Sequence, residues 1–354
     1  MGDRPGRTPD VPLLTGVASI TEVARLAGVS TATASRVLSA ADYAVSAGAR
    51  ARVLEAAQRL DYVPNALARG LLSSKIPVVG VIVHDITDPY FSEVVRGVED
   101  AAADDGYLVI ACSSDRSPER ENSYVRLLRS MRAAAVIFAG SGIDDATANE
   151  ELRRHLAGIR ENGSAVVHLS PHAFGAPEVG VDNRAGVAAM VAALAELGHR
   201  QICFLAGPNA LYVARERLAG YRRGLEAVGI DPDGALVVQT TFDRAGGALG
   251  VDALLARGRA FTAICCANDL QALGALERLE QLGVAVPEMV SVAGFDDISV
   301  AALTAPTLST VRLPLRELGQ RGYAHALRQL SGQTVGPELL PTEVVIRASI
   351  GPPV

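Results

Sequence analysis

The sequence has one lysine against thirty-two arginines, only four cysteines, and no uninterrupted apolar stretch of membrane length. A bilayer span needs about 18 consecutive apolar residues, so no transmembrane helix is expected. Cys112, Cys203, Cys265 and Cys266 form no CxxC pair, and none lies near a histidine at zinc spacing. That argues against a disulfide framework or a structural zinc and predicts small buried thiols in a reducing cytosol. An apolar signal core is missing from the N-terminus; residues 1–18, rich in Pro, Gly and Arg, read as a disordered arm. A phosphate-cradling loop is missing too, since Ala139-Gly140-Ser141-Gly142 gives a lone GxG without its third glycine. Asp269, Asp296 and Asp297 fall near expected strand ends, but nothing places a nucleophile, metal or histidine base beside them. No catalytic residue, metal site or cofactor is therefore expected, and the chain does not read as an enzyme.

What is present is unevenly spread. The 354 residues, 49% of them apolar, suffice for two or three domains with sizeable cores. The net charge of −6 excludes a wholly basic nucleic-acid coat. Residues 19–75 nevertheless carry seven Lys/Arg against four Asp/Glu, a balance of +3, and the rest carries −9. A small basic head on a larger acidic body suits DNA binding confined to one end.

Residues 19–62 read as three short helices. Ser19-Ile20-Thr21-Glu22 is a capping box, and Ile20, Val23, Ala24 and Ala27 then share one face. Gly28 ends the first helix and Ser30 caps a second, Thr31 to Leu38. A third runs from Ser46 to about Leu60, with Val53, Leu54, Ala57 and Leu60 expected inward. Two short helices joined by Ala27-Gly28-Val29-Ser30 match a helix-turn-helix. After Pro64 a helix of barely two turns, containing Gly70, needs a partner or DNA to be ordered. From Ile76 onward strands alternate with helices: Val78–Val83, Tyr107–Cys112, Ala135–Phe138, Ala165–Leu169, Ile202–Leu205, Leu236–Gln239, Ala263–Cys266 and Val290–Gly294 are strand-like. Tyr90–Asp105, Glu119–Met131, Asn183–Leu197, Glu216–Val228, Ala245–Ala256 and Leu270–Leu282 are helical. The alternation predicts parallel, doubly wound sheets in two Rossmann-like lobes.

Glu22-Val-Ala-Arg-Leu-Ala-Gly-Val-Ser-Thr-Ala-Thr-Ala-Ser-Arg-Val-Leu38 and Tyr62-Val-Pro-Asn-Ala-Leu-Ala-Arg-Gly-Leu71 resemble the lactose/galactose repressor (LacI/GalR) family of bacterial transcription regulators. So do Asp88-Pro-Tyr-Phe91, Gly198-His-Arg200, Arg217-Leu-Ala-Gly-Tyr221, Asn268-Asp269 and Gly294-Phe-Asp-Asp297, in that order. The resemblance spans roughly residues 19–350 and implies an all-α helix-turn-helix head, a hinge helix, and an α/β core of two doubly wound parallel-sheet lobes, like a periplasmic binding protein. The implied divisions are an arm (1–18), a DNA-binding domain (19–63), a hinge and linker (64–75) and a core (76–350). The N-lobe takes about 76–180 plus 310–338, the C-lobe about 181–309 plus 339–350.

By resemblance, Thr31, Ala32 and Arg36 read bases in the major groove, Arg36 by two hydrogen bonds to guanine. Ser30, Thr33, Ser35 and Asn65 bind phosphates or backbone. Leu71 matches a leucine wedge that enters a base step from the minor groove, and Ala68 a position where smallness lets the hinge sit there. Gly70 and Ala34 depart from the family pattern: the first weakens the hinge helix, the second loosens the head's core. In the core Arg217, Asp296, Asn268, Phe242, Tyr90, Phe91 and His168 are the expected ligand contacts, for vicinal hydroxyls or a carboxylate at Arg217 and for an apolar ring face at the aromatics. Leu211, Tyr212 and Val213 lack a purine-binding pattern, which favours a sugar or sugar derivative over a purine or nucleoside. The expected partners are near-palindromic operator DNA, a small carbohydrate effector and a second copy of the chain, in the cytoplasm. With no C-terminal heptad helix, a homodimer is favoured over a tetramer. A sugar-binding protein without DNA function is the competing reading, but it has no use for residues 19–72.

Overall fold

Ser19 opens the first helix, α1 (Ile20–Ala27), by the expected reciprocal cap: the Glu22 amide donates to Ser19 Oγ at 3.3 Å and the Ser19 amide to Glu22 Oε2 at 2.7 Å. Gly28 closes it at φ 64°, a left-handed conformation that glycine adopts without strain. The Thr33 amide donates to Ser30 Oγ at 3.1 Å, starting α2 (Thr31–Leu38). Ser46 caps α3 (Ala47–Arg59). Val23, Ala24, Ala27, Ala34, Val37, Val53, Ala56 and Ala57 form one small core. Ala34 is wholly buried in it. Leu54, expected inward, is 51% exposed, and Ala56 takes the inner face instead. On a 3.6-residue period Val53, Ala56, Ala57 and Leu60 share a stripe, and Leu54 falls a hundred degrees off it. Arg52 ties α3 to α1, its Nε donating to the Ala27 carbonyl at 3.0 Å.

This computed structural model describes residues 18–38, 45–62, 75–173, 179–233 and 236–353. Residues 1–17 of the expected arm and the hinge residues Asn65, Ala68, Gly70 and Leu71 lie outside these ranges. The chain divides into two compact units, Met1–Ile76 and Pro77–Val354.

The second unit is built on two four-stranded sheets of matching order. The first is β2-β1-β3-β4, from β1 (Ile76–Val83), β2 (Leu108–Ser113), β3 (Ala133–Phe138) and β4 (Ala165–His168). The second is β7-β6-β8-β9, with β6 (Ile202–Ala206), β7 (Val237–Gln239), β8 (Ala263–Cys266) and β9 (Ser291–Ala293). Central strands β3, β6 and β8 are buried throughout, as parallel strands covered on both faces must be. Helices α4 (Pro89–Ala103), α5 (Pro118–Ser130) and α6 (Ala146–Glu161) belong to the first sheet. Helices α7 (Asn183–Glu196), α8 (Tyr212–Ala227), α9 (Arg244–Ala256) and α10 (Asp269–Gln281) belong to the second. Two three-residue pairs link them: β5 (Val179–Val181) runs parallel to β11 (Glu338–Leu340), and β10 (Thr310–Arg312) antiparallel to β12 (Glu343–Val345). The last helix, α11 (Leu315–Leu330), returns to pack against α4, β3 and β4 of the first sheet. Three helix pairs meet backbone to backbone at glycines. A Cβ on Gly97 would stand 2.0 Å from the Arg316 carbonyl, one on Gly220 2.6 Å from the Arg184 carbonyl, and one on Gly247 2.0 Å from the Gln271 carbonyl.

Candidate functional site

Parallel sheets gather ligands outside the carboxyl ends of their strands, because loops diverge there and helix N-termini converge. The main cavity of the core unit obeys that rule on both sheets. It holds about 430 Å³ of open space, mouth included. From the first sheet come His84 after β1, Arg116 after β2, Ser141 after β3 and Ser170 after β4. From the second come Leu211 and Val213 after β6, Phe242 after β7, Asn268 after β8 and Asp296 after β9. Asp88, Tyr90 and Phe91, at the start of α4, complete the wall. One side is closed by bonds between the loop after β3 and the start of α8: the Val213 amide donates to Ser141 Oγ at 3.1 Å, and Arg215 pairs with Asp144 at 2.8 Å.

Arg217 organises the floor. It is 5% exposed, and each of its nitrogens has a partner. Nε donates to Asn183 Oδ1 at 3.0 Å, Nη1 to the Ala267 carbonyl at 2.5 Å, and Nη2 to Asp296 Oδ1 at 3.0 Å. Its guanidinium lies 4.1 Å from the centre of the Phe295 ring and 6.0 Å from that of Phe242. Asn183, the first residue of α7, also donates to Glu216 Oε2 and so holds the arginine in place. Asp296 sits at φ 116°, in a strained backbone region, and burial pushes its carboxyl well above the usual range against the pull of Arg217. Asn268 spends its Oδ1 as the N-cap of α10 and its Nδ2 on the Phe242 carbonyl at 3.3 Å.

The opposite wall carries two charges that the floor does not neutralise. Asp88 caps α4 by accepting from the Tyr90 amide at 3.0 Å, and burial raises its carboxyl. Burial lowers Arg116, with Asp88 and Asp243 opposing that shift. His84 is 5% exposed and held at about 3, by burial first and Arg116 second, so it is neutral at physiological pH.

Six of the seven expected contacts, Tyr90, Phe91, Arg217, Phe242, Asn268 and Asp296, thus border one cavity. His168 does not border it. Its ring packs 5.3 Å from Phe138 and 5.5 Å from His172, and Ser170, two residues on, takes the place at the mouth. Sequence reasoning missed His84, Asp88, Arg116 and Ser141. The available signal was their position, each just past a strand or at a helix cap.

In the head unit Thr31, Ala32 and Arg36 are exposed on α2, on the side away from Ala34 and Val37. Ser30 Oγ and Thr33 Oγ1 lie 2.9 Å apart, leaving one hydroxyl hydrogen between them for an outside acceptor. Ser35 is half-buried.

Residues 19–65 match the profile described as bacterial regulatory proteins, lacI family, and residues 191–350 that of a periplasmic binding protein-like domain. The chain is 33% identical over 334 residues to the HTH-type transcriptional repressor CytR of Escherichia coli (strain K12), covering 94% of this chain and 96% of that one. This chain belongs to the LacI family. It is a DNA-binding transcriptional regulator controlled by a small effector. The Lac repressor bound to ONPG in the repressed state superposes on this LacI-family chain with a TM-score of 0.83 at 28% identity, covering 94% of this chain and 100% of that one. A LacI family regulator from Enterococcus faecium with bound ribose gives a TM-score of 0.68 at 28% identity, covering 78% and 99%. No described helix is long and apolar enough to cross a membrane.

Proposed function

We propose that this regulator represses transcription as a cytoplasmic homodimer on near-palindromic operator DNA, and that a neutral sugar or sugar derivative in the core cavity sets its operator affinity. Thr31, Ala32 and Arg36 read base edges, while Ser30, Thr33, Ser35 and Asn65 hold the DNA backbone. Ala68 and Leu71 occupy the minor groove. Residues 19–63 form the DNA-binding domain, 64–75 the hinge and 76–350 the effector core.

The observation that carries the effector class is the charge arrangement of the cavity. Arg217 is already hydrogen-bonded to Asp296, Ala267 and Asn183, so it offers a phosphate no free fork. Asp88 and Arg116, one acceptor and one donor of opposite charge, suit vicinal hydroxyls. Phe91 and Phe242 face the apolar side of a ring. Leu211 and Val213 offer no hydrogen bond to a base edge, which favours a sugar; the two aromatic walls also accommodate a flat base, which keeps a nucleoside as the second reading.

Calorimetric titration of the full chain with glucose, ribose, cellobiose, cytidine and adenosine tests this. At least one sugar is expected to bind at micromolar to low millimolar concentration, with Arg217→Met abolishing it. Binding by the nucleosides alone would move the assignment to the second reading, and no binding by any would overturn it. On the DNA side, Arg36→Ala is expected to cost about 1–3 kcal/mol in operator affinity, read by gel shift, while leaving effector binding unchanged.

A further inference from the structure

Beside the effector cavity lies a second, smaller one, over the carboxyl ends of β1, β2 and β3, with about 300 Å³ of open space, solvent at its mouth included. His84, Arg116 and Ser141 border both cavities, whereas Glu121, Asn122 and Asn149 border only the second. Its wall carries buried polar atoms without a hydrogen-bond partner, Nε of Arg116 and Oδ1 of Asn122, and beside them the His84 ring, only one of whose nitrogens is engaged, by the Ser141 backbone. His84 and Asn122 are 5% and 3% exposed. Buried polar atoms in native folds are nearly all paired, so three orphans around one space mark where a polar group belongs.

The chemistry of that group follows from the wall. Asn122 spends its Nδ2 on the Ala148 carbonyl at 3.3 Å, which leaves Oδ1 as an acceptor only. Arg116 Nε is a donor only. Neutral His84, with one ring nitrogen engaged by the Ser141 backbone, keeps the other for the cavity. Burial lifts Glu121 to about 7, so its carboxyl both donates and accepts near neutrality. Asp85, Asp88, Asp115 and Asp243 surround Arg116, which leaves no net positive field for a phosphate. Mixed donors and acceptors without a positive excess fit a hydroxyl, which does both.

We propose that the second cavity is a subsite for a hydroxyl-bearing arm of the effector, such as an exocyclic hydroxymethyl group, held by Asn122, His84 and Arg116. The proposal rests on the sugar reading of the main cavity. Matched probes test it: glucose against xylose, which lacks the hydroxymethyl group, and adenosine against 5′-deoxyadenosine. The member with the hydroxyl is expected to bind about tenfold tighter, the effect of one or two neutral hydrogen bonds. Asn122→Leu is expected to bring the pair level without weakening the shorter member. Equal affinities in the parent, or selectivity that survives in Asn122→Leu, would overturn the subsite. A second measurement needs no effector and no variant. Crystals of the full chain soaked in glycerol are expected to show a hydroxyl within hydrogen-bond distance of Asn122 Oδ1 and His84. Water alone there, or an adventitious additive only, with no such contact, would overturn it. Should no sugar or nucleoside bind, the effector reading falls, and the glycerol map still decides the subsite.

Discussion

Three acceptors, from Asn183, Ala267 and Asp296, converge on the one buried guanidinium of Arg217, so its removal strands a carboxylate as well as emptying a site. Arg217→Met is therefore expected to destabilise the core by about 3–5 kcal/mol at pH 8, the usual effect of breaking a buried pair. Adding Asp296→Leu is expected to restore most of that stability but none of the effector binding. Urea unfolding of the single and double variants reads the difference, and simple additivity would show that the pair is not coupled. Asp269 poses a different electrostatic problem. It is fully buried, accepts from Thr310 Oγ1 at 2.6 Å and from the Ile298 amide at 2.9 Å, and burial lifts it to about 7. The folded chain thus keeps a proton that the unfolded chain releases near the ordinary value of 3.8. Stability is expected to fall as pH rises from about 4 to about 7, with Glu121 and Asp296 acting in the same direction. Asp269→Asn keeps both contacts if the Thr310 hydroxyl reverses its role, and should flatten part of that slope. Urea midpoints at pH 5 and pH 8 measure it; an unchanged slope would acquit Asp269.

Helices here are placed by what they lack as much as by what they bury. α9 and α10 meet where Gly247 faces the Gln271 carbonyl and Gly274 the Arg244 carbonyl, at 2.0 and 1.9 Å from where a Cβ would stand. Neither carbonyl is a flexible tip, so Gly274→Ala must push two helices apart and is expected to cost about 1–3 kcal/mol or more. Gly229→Ala, with φ 71° and no atom within 4 Å of its Cβ, is the control: its cost is conformational only, about 1 kcal/mol. Thermal melting of both variants separates crowding from backbone preference. Such crossings were not legible in the sequence, because a glycine inside an apolar helix announces nothing about its neighbour. The caps were legible: Ser19 with Glu22 and Gly28 fix the first helix by local bonding alone. Leu54 was misread because a large apolar side chain was given more weight than the helical period, which turns the smaller Ala56 inward instead. The linking strands β5, β10, β11 and β12 escaped notice since three residues cannot display a period of two and, unlike β7 and β9, these four fall outside the alternation of strand and helix. Arg217 and Asp296 were found by resemblance, whereas Arg116 and His84 needed the sheet order, which decides that their strand ends converge.

At the scale of the whole molecule, the basic head and the acidic body perform separate recognition tasks, and regulation requires that one binding event change the free energy of the other. For a binding equilibrium that coupling is reciprocal. If a saturating sugar changes operator affinity by some factor, operator DNA must change the sugar's affinity by the same factor. The expected size is about 5- to 150-fold, or about 1–3 kcal/mol. A sugar that binds both conformations of the core equally would shift nothing, however tight it is. Fluorescence anisotropy on labelled operator with and without sugar gives one side of the cycle. Calorimetry with sugar, on the free chain and on the operator complex at the same salt, gives the other; salt must be held fixed because displaced counterions alone alter DNA affinity by orders of magnitude. Arg217→Met should collapse the factor to one from both directions, since it removes the sugar but no contact with DNA. Arg36→Ala should weaken operator binding while leaving the factor intact, because it alters how strongly the head binds and not which core conformation the head prefers. A factor of one from both directions in the parent protein would mean that sugar and operator do not share one conformational equilibrium, and that the response arises elsewhere.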